Sequence, residues 1–143
     1  MPTLFAWLGN SDLRASADAS GADFGPIFMA LETGAYDRLV LSSDHEQQRT
    51  QIFVAWLSGK FKGATDVRYA KLRSPTDFED IYVAANGAVS ATLSSSPELP
   101  VTFHVSPGTP AMAAVWVLLA KAKYGASLIE SSREHGVRPV VVP

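Results

Sequence analysis

Short apolar runs alternate along this chain with longer segments whose apolar residues recur every three or four positions. That alternation predicts parallel strands joined by crossover helices, an α/β sandwich. The first strand is expected over residues 3–8, closed by Gly9-Asn10-Ser11-Asp12, and a Ser-, Ala- and Asp-rich loop over 15–23 leads to a helix around 26–33. Gly34 is a plausible stop for that helix. Residues 38–41 read as a second strand. Ser43 with Glu46 three positions on reads as a capping box for a helix whose Ile52, Phe53, Trp56 and Leu57 share one face, ended by Gly59 or Gly63.

A third strand is expected over 66–72, before Ser74-Pro75-Thr76-Asp77. There Ser74 or Thr76 can cap a helix that aligns Phe78, Ile81, Tyr82, Ala85 and Val89 and is weakened by Gly87. After the turn Ser94-Ser95-Ser96-Pro97, residues 101–105 form the clearest strand. Thr109-Pro110 then starts a helix, apolar on nearly all sides through Leu119 and so expected to be central and buried. Residues 126–130 give a fifth strand and 133–136 a turn. Residues 139–142 give a sixth strand, read as antiparallel because no crossover helix precedes it.

With 143 residues and neither repeats nor a linker, one Rossmann-like domain with a mainly parallel sheet of about six strands is expected. The chain ends abruptly on an apolar strand, which reads as the excised N-terminal part of a longer protein. A net charge of −2 excludes a chain-wide basic field for duplex binding, so any nucleic-acid ligand must be met locally. Without cysteine there is no disulfide framework or thiolate cluster, which points to the cytoplasm. The three histidines are widely spaced and give no zinc signature. The longest apolar run is half of what a bilayer requires, and no signal peptide precedes it.

In open parallel sheets ligands bind beyond the carboxyl ends of the strands, where strand order reverses. Ser106-Pro107-Gly108-Thr109-Pro110 offers a glycine for close backbone approach and a helix N-terminus without the first-turn acids found near Ser43 and Ser74, which suits an anionic oxygen. The same residues also read simply as turn, N-cap and N1 proline. Gly9, Asn10, Ser11 and Asp12 supply amide and hydroxyl groups suited to a base or ribose, or an ordinary turn, without a G-x-G-x-x-G or P-loop cofactor fingerprint. Ser42-Ser43 and Ser131-Ser132-Arg133 also end strands. Arg133 suits phosphate if it points inward and is otherwise a solvated surface group. His104 lies opposite Phe103 and Val105 and reads as packed and hydrogen-bonded before it reads as a proton carrier. No Ser-His-Asp order, nucleophile elbow or paired carboxylates indicate an enzyme.

The second half carries a more specific likeness. Asp77-Phe78-Glu79-Asp80-Ile81-Tyr82, Phe103-His104-Val105-Ser106-Pro107-Gly108-Thr109-Pro110 with Met112, Trp116-Val117-Leu118-Leu119-Ala120, Ala122-Lys123-Tyr124 and Leu128-Ile129-Glu130-Ser131-Ser132 resemble the N-terminal sensory domain of RtcR-type activators of bacterial RNA-repair operons. That is a CARF domain, the CRISPR-associated Rossmann fold. The resemblance implies a homodimer that binds a cyclic oligoadenylate or RNA-derived ligand and passes occupancy to covalently linked AAA+ and DNA-binding domains. It implies ligand contacts from Gly9, Asn10, Ser11 and Asp12 and from Ser106, Pro107, Gly108 and Thr109. Many relatives that bind cyclic oligoadenylate place Lys or Arg just after the Gly-Thr pair, where this chain has Pro110. Some relatives cleave their ligand, which would make Ser11, Thr109 and His104 suspects. A purely dimerising module built on the apolar helix is the third reading.

Overall fold

The computed structural model describes residues 2–143. One six-stranded sheet is built from β1 (Thr3–Trp7), β2 (Arg38–Ser43), β3 (Ala64–Tyr69), β4 (Val101–His104), β5 (Ser127–Ser132) and β6 (Gly136–Pro139), in the order β3-β2-β1-β4-β5-β6. All pairings are parallel except β5 with β6. This is the expected mainly parallel α/β fold. Its central β1 is buried on both faces, as a parallel strand flanked by helices on both sides must be.

Alternation along the strands divides the core in two. Leu4, Ala6, Leu8, Leu39 and Leu41 face a layer made by α1 (Asn10–Ala17), α2 (Gly25–Leu31) and α3 (Gln47–Ser58), which contributes Leu13, Ile27, Phe53 and Leu57. Phe5, Trp7, Val40, Phe103 and Leu128 face α4 (Phe78–Ser95) and α5 (Pro110–Leu119), which supply Ile81, Ala85, Val89, Val115 and Trp116. Phe103 and Trp116 lie 4.6 Å apart at their ring centres, with Phe5 edge-on to Phe103 at 5.8 Å.

Several expectations are corrected. The polar stretch after β1 is a helix rather than a loop, because Asp12 at its third position reaches back to the Gly9 amide at 3.0 Å. Ser43 belongs to β2 and caps nothing. Its Oγ meets Thr50 Oγ1 at 2.8 Å, and α3 begins after Glu46 without a side-chain cap. α4 is capped by Asp77, whose Oδ1 accepts the Asp80 amide at 2.9 Å, and not by Ser74 or Thr76. It runs through Gly87 unbroken.

Three strands are displaced from their expected bounds. β3 starts and ends earlier because its register follows β2, with Arg38 paired to the Asp66 carboxylate across the ladder. β5 runs on to Ser132, and β6 starts at Gly136, where φ +67 turns the chain and Arg138 pairs with Glu130. α5 is not wholly buried: Met112, Val115, Trp116 and Leu119 face the core, whereas Leu118 is exposed. No helix among the described residues is long and apolar enough to cross a membrane.

Candidate functional site

Strand order reverses between β1 and β4, the two central neighbours whose following helices lie on opposite faces. Their carboxyl-end loops meet there. A Cβ added to Gly9 would fall 2.7 Å from the Gly108 amide nitrogen, so only glycine lets the two backbones approach this closely. Gly108 has φ +87, which turns β4 into α5 at a conformation other residues adopt with strain.

Around this contact lies a cleft of about 410 Å³, lined by all eight predicted residues of the two loops, Gly9 to Asp12 and Ser106 to Thr109. The remaining predicted residue, Arg133, lies elsewhere. It borders a neighbouring cleft of about 350 Å³ with Ser11, Arg14, Asp23, Ser131 and Ser132. Ser11 and Ser106 line both.

The hydrogen bonds decide what the first cleft offers. Thr109 Oγ1 accepts the Met112 amide at 3.3 Å as an N-cap and donates its hydrogen to the Pro75 carbonyl at 2.7 Å. Its donor is therefore occupied. The Thr109 amide faces Met112 Sδ at 3.4 Å, a weak acceptor. Half-buried His45 reaches the Leu8 carbonyl through Nε2 at 3.0 Å. A carbonyl can only accept, so Nε2 carries a hydrogen, and in the neutral ring Nδ1 is an acceptor. With Asp44 also on the wall, the first cleft is rich in acceptors.

Asp12 forms the floor and is fully buried. One carboxyl oxygen accepts the Gly9 amide at 3.0 Å and the other the Ile27 amide at 2.9 Å, so a single side chain caps both α1 and α2. Burial pushes its pKa up to about 7, against the two amide bonds that favour the ionised form. Behind Ser106, buried His104 shares a 2.7 Å bond with Ser131 Oγ, and Ser106 Oγ accepts the Ser131 amide at 2.7 Å. Burial drives the His104 pKa down to about 3, so the ring is neutral, and its Nδ1 has no partner among the described residues. His104 is thus packed and hydrogen-bonded, outside both clefts.

Arg133 stands at the mouth of the second cleft, its side chain 80% exposed and 3.1 Å from Asp23. Arg14, Asp44, His45 and Pro75 border the clefts without having been singled out in the sequence. Arg14 was hidden by reading α1 as a loop. Asp44 and His45 follow the second strand and could have been found by the same strand-end rule that picked out the first and fourth loops. Among the described residues no three His, Asp or Glu side chains gather as metal ligands.

No family model matches the chain, and no curated protein matches it. Solved structures do. Csm6 of Enterococcus italicus, bound to cyclic hexa-2′-fluoro-hexa-dAMP, superposes with a TM-score of 0.77 at 15% identity over 99% of this chain. Can2 of Sulfobacillus thermosulfidooxidans, in complex with cyclic tetra-adenylate, gives 0.66 at 13% identity over 94%. A type III CRISPR defence DNA nuclease activated by cyclic oligoadenylate gives 0.60 at 18% identity over 90%. The chain spans 42%, 33% and 18% of the length of these three proteins. At such identities the likeness is one of fold, a Rossmann-type six-stranded α/β sandwich.

Proposed function

We propose that this domain is a ligand sensor that binds an oligonucleotide, either a cyclic oligoadenylate or an RNA-derived end, in the cleft between the β1 and β4 loops. The observation that carries this reading is the Gly9–Gly108 contact at the strand-order reversal, which opens an acceptor-rich cleft where an open α/β sheet binds ligands. Acceptors such as His45 Nδ1 and Asp44 suit the exocyclic amine of adenine and ribose hydroxyls. The cyclic oligoadenylates held by proteins of the same fold support that ligand class. In its finer form, a homodimer of this domain controls a linked sigma-54-type AAA+ transcriptional activator of RNA repair, as the resemblance to RtcR-type regulators implies.

Calorimetric titration with cyclic oligoadenylates and with short RNAs ending in 2′,3′-cyclic phosphate, 3′-phosphate or hydroxyl tests this. Saturable binding, weakened about tenfold by Asn10→Ala through loss of a side-chain hydrogen bond, with ligand recovered intact, is the expected result. Recovery of cleaved ligand would replace the sensor with a ring-nuclease-like enzyme, for which His45, which lines the cleft, is the residue to substitute. Absence of binding across the panel would leave a dimerising module.

A further inference from the structure

The second cleft, between α1, α2 and the β5–β6 turn, differs from the first in how its hydroxyl oxygens are engaged. Ser11 Oγ accepts from the Arg14 guanidinium at 3.1 Å, Ser106 Oγ from the Ser131 amide at 2.7 Å, and Ser132 Oγ from the His135 amide at 3.0 Å. Each oxygen is held as an acceptor, and among the described residues no protein group takes its hydrogen. A hydroxyl has one hydrogen to donate, so three O–H donors remain for a ligand. An N–H bond into each oxygen polarises the O–H and strengthens it.

Two guanidinium groups border the same space, Arg14 from α1 and Arg133 from the β5–β6 turn, with Asp23 the opposing carboxylate. Asp23 touches one terminal nitrogen of Arg133 at 3.1 Å, and a guanidinium has five N–H donors, so most of that fork stays available. Two cations against one anion, together with three O–H donors without a protein acceptor, make a site for a phosphate. An incidental groove between α2 and the turn would account for the local Ser11 and Ser132 bonds, but it does not account for Ser106 being held by an amide of another strand with two guanidinium groups beside it.

We infer that this second cleft takes a phosphate of the same oligonucleotide whose nucleoside occupies the first, with Ser11 and Ser106 on the wall the two clefts share. The inference rests on the reading given under the proposed function. It makes the ligand at least a nucleotide, lying across Ser106 with its base toward His45 and a phosphate toward Arg14 and Arg133.

Amide chemical shifts of the labelled domain, read against adenosine, adenosine 3′-monophosphate and inorganic phosphate, separate the two claims. Inorganic phosphate is expected to move the Ser132 and Arg133 amides, and adenosine the Gly9 and Gly108 amides. The monophosphate should bind about tenfold tighter than adenosine, the worth of one or two charge-assisted hydrogen bonds. Arg133→Gln, an exposed position that borders only the second cleft, should erase both the phosphate response and the tenfold gain while leaving adenosine binding unchanged. Adenosine binding with no gain from phosphate and no effect of the Arg133 variant overturns the inference and leaves the proposed function standing. A phosphate response at Ser132 and Arg133 without any adenosine response upholds the anion site and overturns the nucleoside reading. Silence from all three probes overturns both.

Discussion

Two clefts lie side by side at the carboxyl end of the sheet and share Ser11 and Ser106, yet what each adds to that common wall differs. On the β4 side the Thr109 hydroxyl caps α5 and gives its hydrogen to the Pro75 carbonyl, so acceptors face the ligand. On the β5 side the Ser106 and Ser132 oxygens receive backbone N–H groups, so their hydrogens are left for a ligand. A serine or threonine count does not distinguish the two. What a hydroxyl offers is set by which of its atoms the backbone has already engaged.

The contrast can be broken most strongly at Gly108. Gly108→Val puts a branched side chain at φ +87 and presses it toward Met112 and Trp7, at a cost of about 3 kcal/mol in unfolding free energy. Denaturant titration should show that loss. Adenosine binding in the first cleft should vanish while the phosphate response of the second persists. Loss of both responses in a folded variant would mean that the clefts are one site.

Asp12→Asn comes next. An amide oxygen can accept one of the two N–H groups but its NH₂ cannot accept the other, so about 2 kcal/mol should be lost. The gap should depend on pH. A carboxyl raised in the folded state holds its proton where the unfolded chain has released it, so the wild type gains stability as pH falls from about 7 toward 4. Its advantage over the Asp12→Asn variant should therefore be largest near pH 4 and shrink as pH rises through 7. A gap that widens with rising pH would show that the clamp works as a carboxylate.

The smallest effect is expected at Asp23. Asp23→Asn removes the carboxylate that competes for Arg133 and should raise the affinity of inorganic phosphate roughly threefold at low salt, less as ionic strength rises. Unchanged affinity would mean that Arg133 is not engaged by the anion.

The sheet and its two layers were legible because alternation along β1, β2 and β4 sorts residues such as Leu4 and Phe5 to opposite faces without ambiguity. The first cleft was legible for a related reason: Gly9 and Gly108 mark strand ends, and strand ends at a reversal hold ligands. The second was not. Asn10-Ser11-Asp12 has turn composition, and α1 has only Leu13 and Ala15 to bury beside Asp12, so its helical period is too short to read. With α1 went the position of Arg14. The orientation of the serine hydroxyls depends on amides distant in sequence, Ser131 on Ser106 above all, which no local pattern carries.

Asp12 has one further consequence. Its two oxygens hold the Gly9 amide, at the wall of the first cleft, and the Ile27 amide of α2, whose Pro26 borders both clefts. A ligand that shifts either amide strains the other through one rigid carboxyl group. Thermodynamic reciprocity then fixes the outcome: whatever factor nucleoside occupancy applies to phosphate affinity, phosphate applies to nucleoside affinity, and removing the carboxyl should bring that factor toward one.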